Sequence, residues 1–193
     1  HESVIFRRDN SHYEKFDGIE RCIDDEIPFE IPDSWEWTRL GSIITLLSGT
    51  DFKPEEYNSE GEGTVYITGA SNLSAQGVIV NRWTKTPRNI ANKGDLLIVC
   101  KGSGYGKSVI CDVEAAHIAR QIMAIKNQSF MSMTFIKIYL MANIEFIKKS
   151  GQGVIPGIDR NTILSMLFPL PSLAEQLRII AKCDEIFSMI KTF

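Results

Sequence analysis

One stretch of this chain, Gly102-Ser103-Gly104-Tyr105-Gly106-Lys107-Ser108, has the residue types that hold phosphate. Glycine lets backbone amides come close to an anion, and a neighbouring lysine supplies the counter-charge. The spacing excludes a nucleotide loop, because G-x-x-x-x-G-K-[ST] needs glycine where Lys101 stands. Moreover, Val109-Ile110-Cys111 reads as a strand where that motif opens a helix. The dinucleotide fingerprint G-x-G-x-x-G fails too, since Gly102, Gly104 and Gly106 alternate. What remains is a Gly-rich turn flanked by Lys101 and Lys107. It is suited to a phosphate chain, with a plain hairpin turn as the bland alternative.

A second pattern, Pro32-Asp33 with Asp51-Phe52-Lys53, has the form of a metal-dependent nuclease. There two carboxylates hold Mg²⁺ and the lysine polarises water or phosphate. The pattern is short, Asp33 fits a turn cap equally well, and Asp51-Phe52-Lys53 fits a polar loop, so a Mg-dependent nuclease ranks as the weaker alternative. Methyl transfer to a base amine would need an Asn/Asp-Pro-Pro-Tyr/Phe motif, which the sequence lacks. Cys22, Cys100, Cys111 and Cys183 form no C-x-x-C pair, and His1, His12 and His117 complete no zinc spacing. Nor do three scattered histidines assemble a Ser-His-Asp site. No metal, no cofactor and no catalysis by the chain itself are expected.

The elements that must position these residues follow from periodicity. Residues 1–30 are polar and acidic, with Asp24-Asp25-Glu26, and read as an extended lead. Thr64–Thr68, Gly77–Val80, Asp95–Cys100 and Ser108–Cys111 read as strands, and Ile118–Ile125 as one more, with helix as the alternative that Ala119, Gln121, Met123 and Ala124 leave open. Thr134–Lys149 reads as a helix ended by Lys148-Lys149 and Gly151, and Gly151–Gly157 as a loop. Phe168-Pro169-Leu170-Pro171 is extended, and Ser172-Leu173-Ala174-Glu175 is a capping box that starts a last helix. Ile179, Cys183, Ile186 and Ile190 are spaced 4-3-4 along it, with Leu177, Ile180 and Phe187 alongside. Such a seam needs a partner helix.

The 193 residues are 44% hydrophobic and 23% charged with a formal net charge of −3, which excludes disorder. Residues 1–62 hold 16 acids and 6 bases, whereas residues 63–193 hold 8 acids and 15 bases. A basic body behind an acidic lead suits a nucleic-acid partner. No apolar run approaches the ~18 residues of a membrane span. The first residues, starting at His1 rather than Met, do not read as a signal peptide and suggest a fragment. Four thiols without such a signal fit a reducing cytoplasm.

Ile31-Pro32-Asp33-Ser34-Trp35-Glu36-Trp37 leading to Leu40-Gly41, the Gly94-Asp95-Leu96-Leu97-Ile98 strand with its Gly/Ser loop, and Phe168-Pro169-Leu170-Pro171-Ser172-Leu173-Ala174-Glu175-Gln176 with Arg178-Ile179 stand in a telling order. Together, over residues 27–193, they resemble the specificity subunit of type I restriction-modification enzymes. The resemblance implies an α+β target-recognition domain: a mixed, largely antiparallel sheet with packed helices, followed by the start of a coiled-coil-type helix. The expected division is an acidic lead at 1–26, a recognition domain at 27–171 and a truncated spacer helix at 172–193.

It further implies a non-catalytic module that reads one half of a bipartite target in duplex DNA. Its partners would be methyltransferase and restriction subunits, and a second recognition half or a second copy through the last helix. A docking module without DNA reading is the competing class. Expected phosphate contacts are Arg88, Lys101, Lys107, Lys148 and Lys149; expected base readers are Lys53, Ser103, Tyr105, Arg120, Gln121, Gln152, Asp159 and Arg160.

Overall fold

Asp9-Asn10 and Asp17-Gly18 are hairpin dipeptides, and in the computed structural model both residues of each pair sit at positive φ. That is the type I′ geometry, whose twist matches the flanking strands. The structure describes residues 3–102, 104–150 and 157–190. The two turns fold β1 (Ser3–Arg8), β2 (Ser11–Phe16) and β3 (Ile19–Cys22) into an antiparallel meander. Residues 3–22 therefore form a sheet where an extended lead over residues 1–30 is expected from composition. These strands leave little local signal because their faces are mostly exposed, with only His12 and Glu14 of the three strands buried.

Glu14 ties this meander to the next strand, β4 (Glu36–Arg39). Its carboxylate accepts two hydrogen bonds from the Arg39 guanidinium at 2.8 Å each, one from Ser3 Oγ at 2.6 Å and one from Arg21 at 2.5 Å. A buried charge is tolerated only when it is paired and hydrogen-bonded in this way. A single helical turn, α1 (Leu40–Ile43), follows.

The middle of the chain builds two four-stranded sheets from β5 (Leu46–Ser48), β6 (Thr64–Ile67), β7 (Leu73–Ser74), β8 (Gly77–Val78), β9 (Trp83–Thr84), β10 (Ile90–Asn92), β11 (Leu96–Val99), β12 (Ser108–Ile110), β13 (Ala115–Ile118) and β14 (Ile122–Ile125). Their orders are β10-β13-β6-β9 and β12-β11-β14-β5, with β7 and β8 as a small hairpin. Among the described residues only β13 and β6 pair in parallel. Leu97, Val99, Ile122 and Ala124 of one sheet share a buried core with Ile67, Ala91, Ala116 and Ile118 of the other. The opposite face of β11 and β12 is covered by α2 (Met133–Ala142). Burial on both faces explains the unbroken apolar run Leu96–Val99.

The single strand expected over Ile118–Ile125 is two strands in different sheets. The chain turns at Arg120-Gln121, closed by the Ile122 N–H on the Ala119 carbonyl at 2.9 Å. Likewise the helix expected over Thr134–Lys149 is interrupted. Asn143 ends α2, donating from its side chain to the Tyr139 carbonyl at 2.9 Å, and α3 (Ile144–Ser150) restarts. After α4 (Arg160–Ser165), β15 (Leu167–Leu170) pairs antiparallel with β4, and α5 (Leu173–Ile190) closes the described chain. Ser172 Oγ accepts from the Glu175 N–H at 3.4 Å, but the Glu175 carboxylate pairs with Arg178 instead of completing the capping box.

The chain divides into two compact units: His1–Ile44 with Asn161–Phe193, and Thr45–Arg160. The expected limits at 26/27 and 171/172 do not coincide with this division. The cause is β15, which leaves the sequence neighbourhood of the middle sheets to pair with β4.

Candidate nucleic-acid interface

Connections of the Thr45–Arg160 unit converge around the β11–β12 loop. That loop folds back tightly: the Gly106 N–H donates to the Val99 carbonyl at 2.8 Å and the Lys107 N–H to Gly104 at 3.1 Å. Gly106 has φ +92°, a backbone conformation that side chains other than hydrogen resist. Lys107 Nζ reaches the Ala70 carbonyl at 3.4 Å in the β6–β7 connection. Buried Asn72 shapes that connection, accepting from the Thr68 hydroxyl at 2.8 Å and donating to the Ile79 carbonyl at 2.9 Å.

The β13–β14 turn arrives from the other sheet. The Gln121 carbonyl takes the Cys100 N–H at 2.7 Å. Its side-chain Oε1 lies so near Gly69 that an added Cβ there would come within 2.8 Å of it. From α3, Lys148 Nζ sits 5.4 Å from the centre of the Tyr105 ring. Lys101, Tyr105, Lys107, Gln121 and Lys148, scattered over 48 positions of sequence, thus lie about one loop end.

Beside them runs the segment after β5. The Thr50 N–H donates to the Ile118 carbonyl at 2.9 Å, and Asp51 takes Arg120, with Nε to carboxylate at 2.7 Å. Fully buried His117 supports this segment from beneath. Its Nε2 lies 2.7 Å from the Thr50 carbonyl, and its Nδ1 accepts the N–H groups of Arg88 and Asn89 at 3.2 Å each. Those partners require Nε2 to carry the proton and Nδ1 to stay bare, so the imidazole is neutral, and burial pushes its pKa down. Phe52 and Tyr66 pack against it, at 4.1 and 5.2 Å between ring centres, and Tyr57 packs on Tyr66 in turn.

The cations of the unit divide by partner. Arg88 pairs with Glu56 at 2.5 Å and lies over the Phe52 ring at 5.0 Å. Lys148 is 3.6 Å from Glu145, and Arg160 Nη1 is engaged by the Leu46 carbonyl at 2.7 Å. Lys53, Lys101, Lys107 and Lys149 are exposed, and among the described residues none of them has an ion pair. Lys53 stands by the Glu56 turn, to whose carboxylate its backbone N–H donates at 2.8 Å. Asp159 is exposed just before α4. Ser103 and Gln152 lie outside the described residues.

Two motif residues prove structural. Buried Asp95 accepts the N–H groups of Asn92 and Asn127 at 2.7 Å each and the Lys126 ammonium, locking the entry to β11. Fully buried Gln176 donates to the Pro171 carbonyl at 3.0 Å. Asp51, set against a possible metal role, has its carboxylate occupied by Arg120. Among the described residues no group of three or more His, Cys, Asp or Glu is placed to hold a metal. His117 and Asn72 were missed in the sequence, because neither burial nor a partner tens of residues away leaves a local signal.

Along α5, Leu177, Ile186, Phe187 and Ile190 are exposed and Ile179, Ile180 and Cys183 half-buried. The apolar seam expected there is present, without a partner helix among the described residues. No described helix is long and apolar enough to cross a membrane.

Residues 32–192 match the model of the type I restriction modification DNA specificity domain. The chain is 31% identical over 176 residues to the type I restriction enzyme EcoAI specificity subunit of Escherichia coli, covering 84% of this chain and 30% of that protein. It is 26% identical to the putative type I restriction enzyme MjaX specificity subunit of Methanocaldococcus jannaschii, covering 84% and 39%. In fold it is similar to the HsdS subunit from Thermoanaerobacter tengcongensis, with a TM-score of 0.75 at 24% identity, over 86% of this chain and 40% of that one. The chain therefore spans well under half the length of these relatives.

Proposed function

The chain belongs to the family of type I restriction modification DNA specificity domains, and we propose that it reads one half of a split target in duplex DNA through the loop end of its Thr45–Arg160 unit. The observation that carries this reading is the pair Lys101 and Lys107. Both are exposed and, among the described residues, free of ion pairs, and they flank a tight Gly-rich turn beside Gln121. Uncompensated cations on an anion-accessible backbone neutralise phosphates, and amide and guanidinium groups next to them read base edges. Arg88 and Arg160, engaged within the fold, serve this role less directly than the two lysines. On this reading the chain does no chemistry. It works in the cytoplasm by placing methyltransferase and restriction subunits on DNA, and α5 is the start of a spacer helix that meets a second recognition half or a second copy.

Duplex binding is expected to weaken steeply with added salt, each neutralised phosphate contributing about 0.9 to the log–log slope. Lys101→Ala with Lys107→Ala should lower affinity for every duplex alike and reduce that slope by about 2, at unchanged melting temperature. Binding that is flat in salt, or indifferent to the double change, would falsify the phosphate-contact reading.

A further inference from the structure

Arg120 differs from the two lysines in what holds it. One Asp51 carboxylate oxygen accepts the Arg120 Nε at 2.7 Å, and the other accepts the backbone N–H of the same residue at 3.0 Å. Asp51 is itself anchored on both sides. The preceding Thr50 carbonyl is bound by His117 at 2.7 Å, and the following Phe52 N–H donates to the Tyr66 hydroxyl at 3.2 Å. The guanidinium is thus held through Nε, and among the described residues its two terminal nitrogens carry no ion pair or hydrogen bond, on a side chain that is 72% exposed. An arginine beside a carboxylate is nearly neutral as a pair, so it attracts phosphate weakly. It keeps, however, two parallel donors at a fixed spacing, the fork that matches O6 and N7 of guanine in the major groove.

We infer that Arg120 is a specificity-determining residue that reads a guanine, and that Asp51 is its positioning residue. The assignment rests on the DNA-reading role proposed above. A lysine at 120 would keep the charge and lose the fork. Loss of Asp51 would free the guanidinium to swing, blurring the same base position without touching DNA.

The test is selection from randomised duplexes at low salt with the full chain and its variants. The unaltered chain is expected to enrich a sequence containing at least one strongly preferred G·C pair. In Arg120→Ala and Arg120→Lys, preference at one such pair falls by roughly tenfold or more while the other positions keep theirs. Asp51→Ala blurs that same position at unchanged melting temperature. The salt slope of Arg120→Ala stays that of the parent. If the unaltered chain enriches no sequence, both this assignment and the DNA-reading role fall. Should it enrich one that Arg120→Ala leaves unchanged, the assignment alone falls. A uniform loss of affinity with a slope lower by about 1 would make Arg120 a phosphate contact and equally overturn it.

Discussion

At the scale of single residues, the most consequential charge for stability is Glu14 rather than any cation of the loop end. The hydrogen bonds from Arg39, with those from Ser3 and Arg21, hold its pKa down at about 2 despite burial. A carboxyl depressed in the folded state adds stability that is complete above its ordinary value near 4.5. That stability is lost as pH falls from there toward about 2. Glu14→Gln should therefore flatten the pH dependence across that window and cost about 3 kcal/mol at neutral pH, read from urea melts at pH 7 and pH 3. His117 acts in a second window with the same sign. Its pKa is lowered by burial, so stability falls as pH drops below about 6.5 and the unfolded imidazole takes a proton that the folded one refuses. Neither residue announces this in the sequence. Glu14 meets Arg39 across 25 positions and His117 meets Thr50 across 67, separations that only folding closes.

Among elements, legibility followed the strength of local pattern. β6, β11, β12 and β15 and the start of α5 could be read directly, because apolar runs, prolines and a serine cap act over a few residues. The meander could not be read from composition, although Asp17-Gly18 is a strong hairpin dipeptide in its own right. Gly18 has φ +82° and nothing within 4 Å of an added Cβ, so Gly18→Ala should cost about 1 kcal/mol through backbone strain alone. Chemical denaturation measures it; a much larger loss would mean that the turn is packed rather than merely bent. The breaks at Arg120-Gln121 and Asn143 were hidden for another reason. Apolar residues flank both breaks closely, and what ends each element is a hydrogen bond to a tertiary neighbour or a capping amide.

For the molecule as a whole, charge sorts by unit: Thr45–Arg160 holds 13 bases and 10 acids, and the remainder holds 8 bases and 14 acids. A mild excess of this size steers an anionic partner without specifying it. The exposed seam of α5 lies on the acidic unit, which allows the docking alternative to be separated from DNA reading. Leu177→Glu with Ile190→Glu, at positions 55% and 63% exposed, should change stability by less than about 0.5 kcal/mol and leave duplex binding intact. Binding to a protein partner that survives Lys101→Ala with Lys107→Ala but is lost in that double variant would instead favour the docking class.

The order of residues was enough for the family, the α+β class, the Gly-rich turn with its two lysines and the apolar seam of the last helix. Each of these is written in residues close along the chain or in the order of short motifs. Tertiary structure alone decided that β15 returns to β4, that the polar residues 3–22 are a sheet, and that Asp51 holds Arg120. The reason is physical: side-chain partnerships across tens of residues depend on which loops two sheets bring to one end. No local periodicity encodes that meeting.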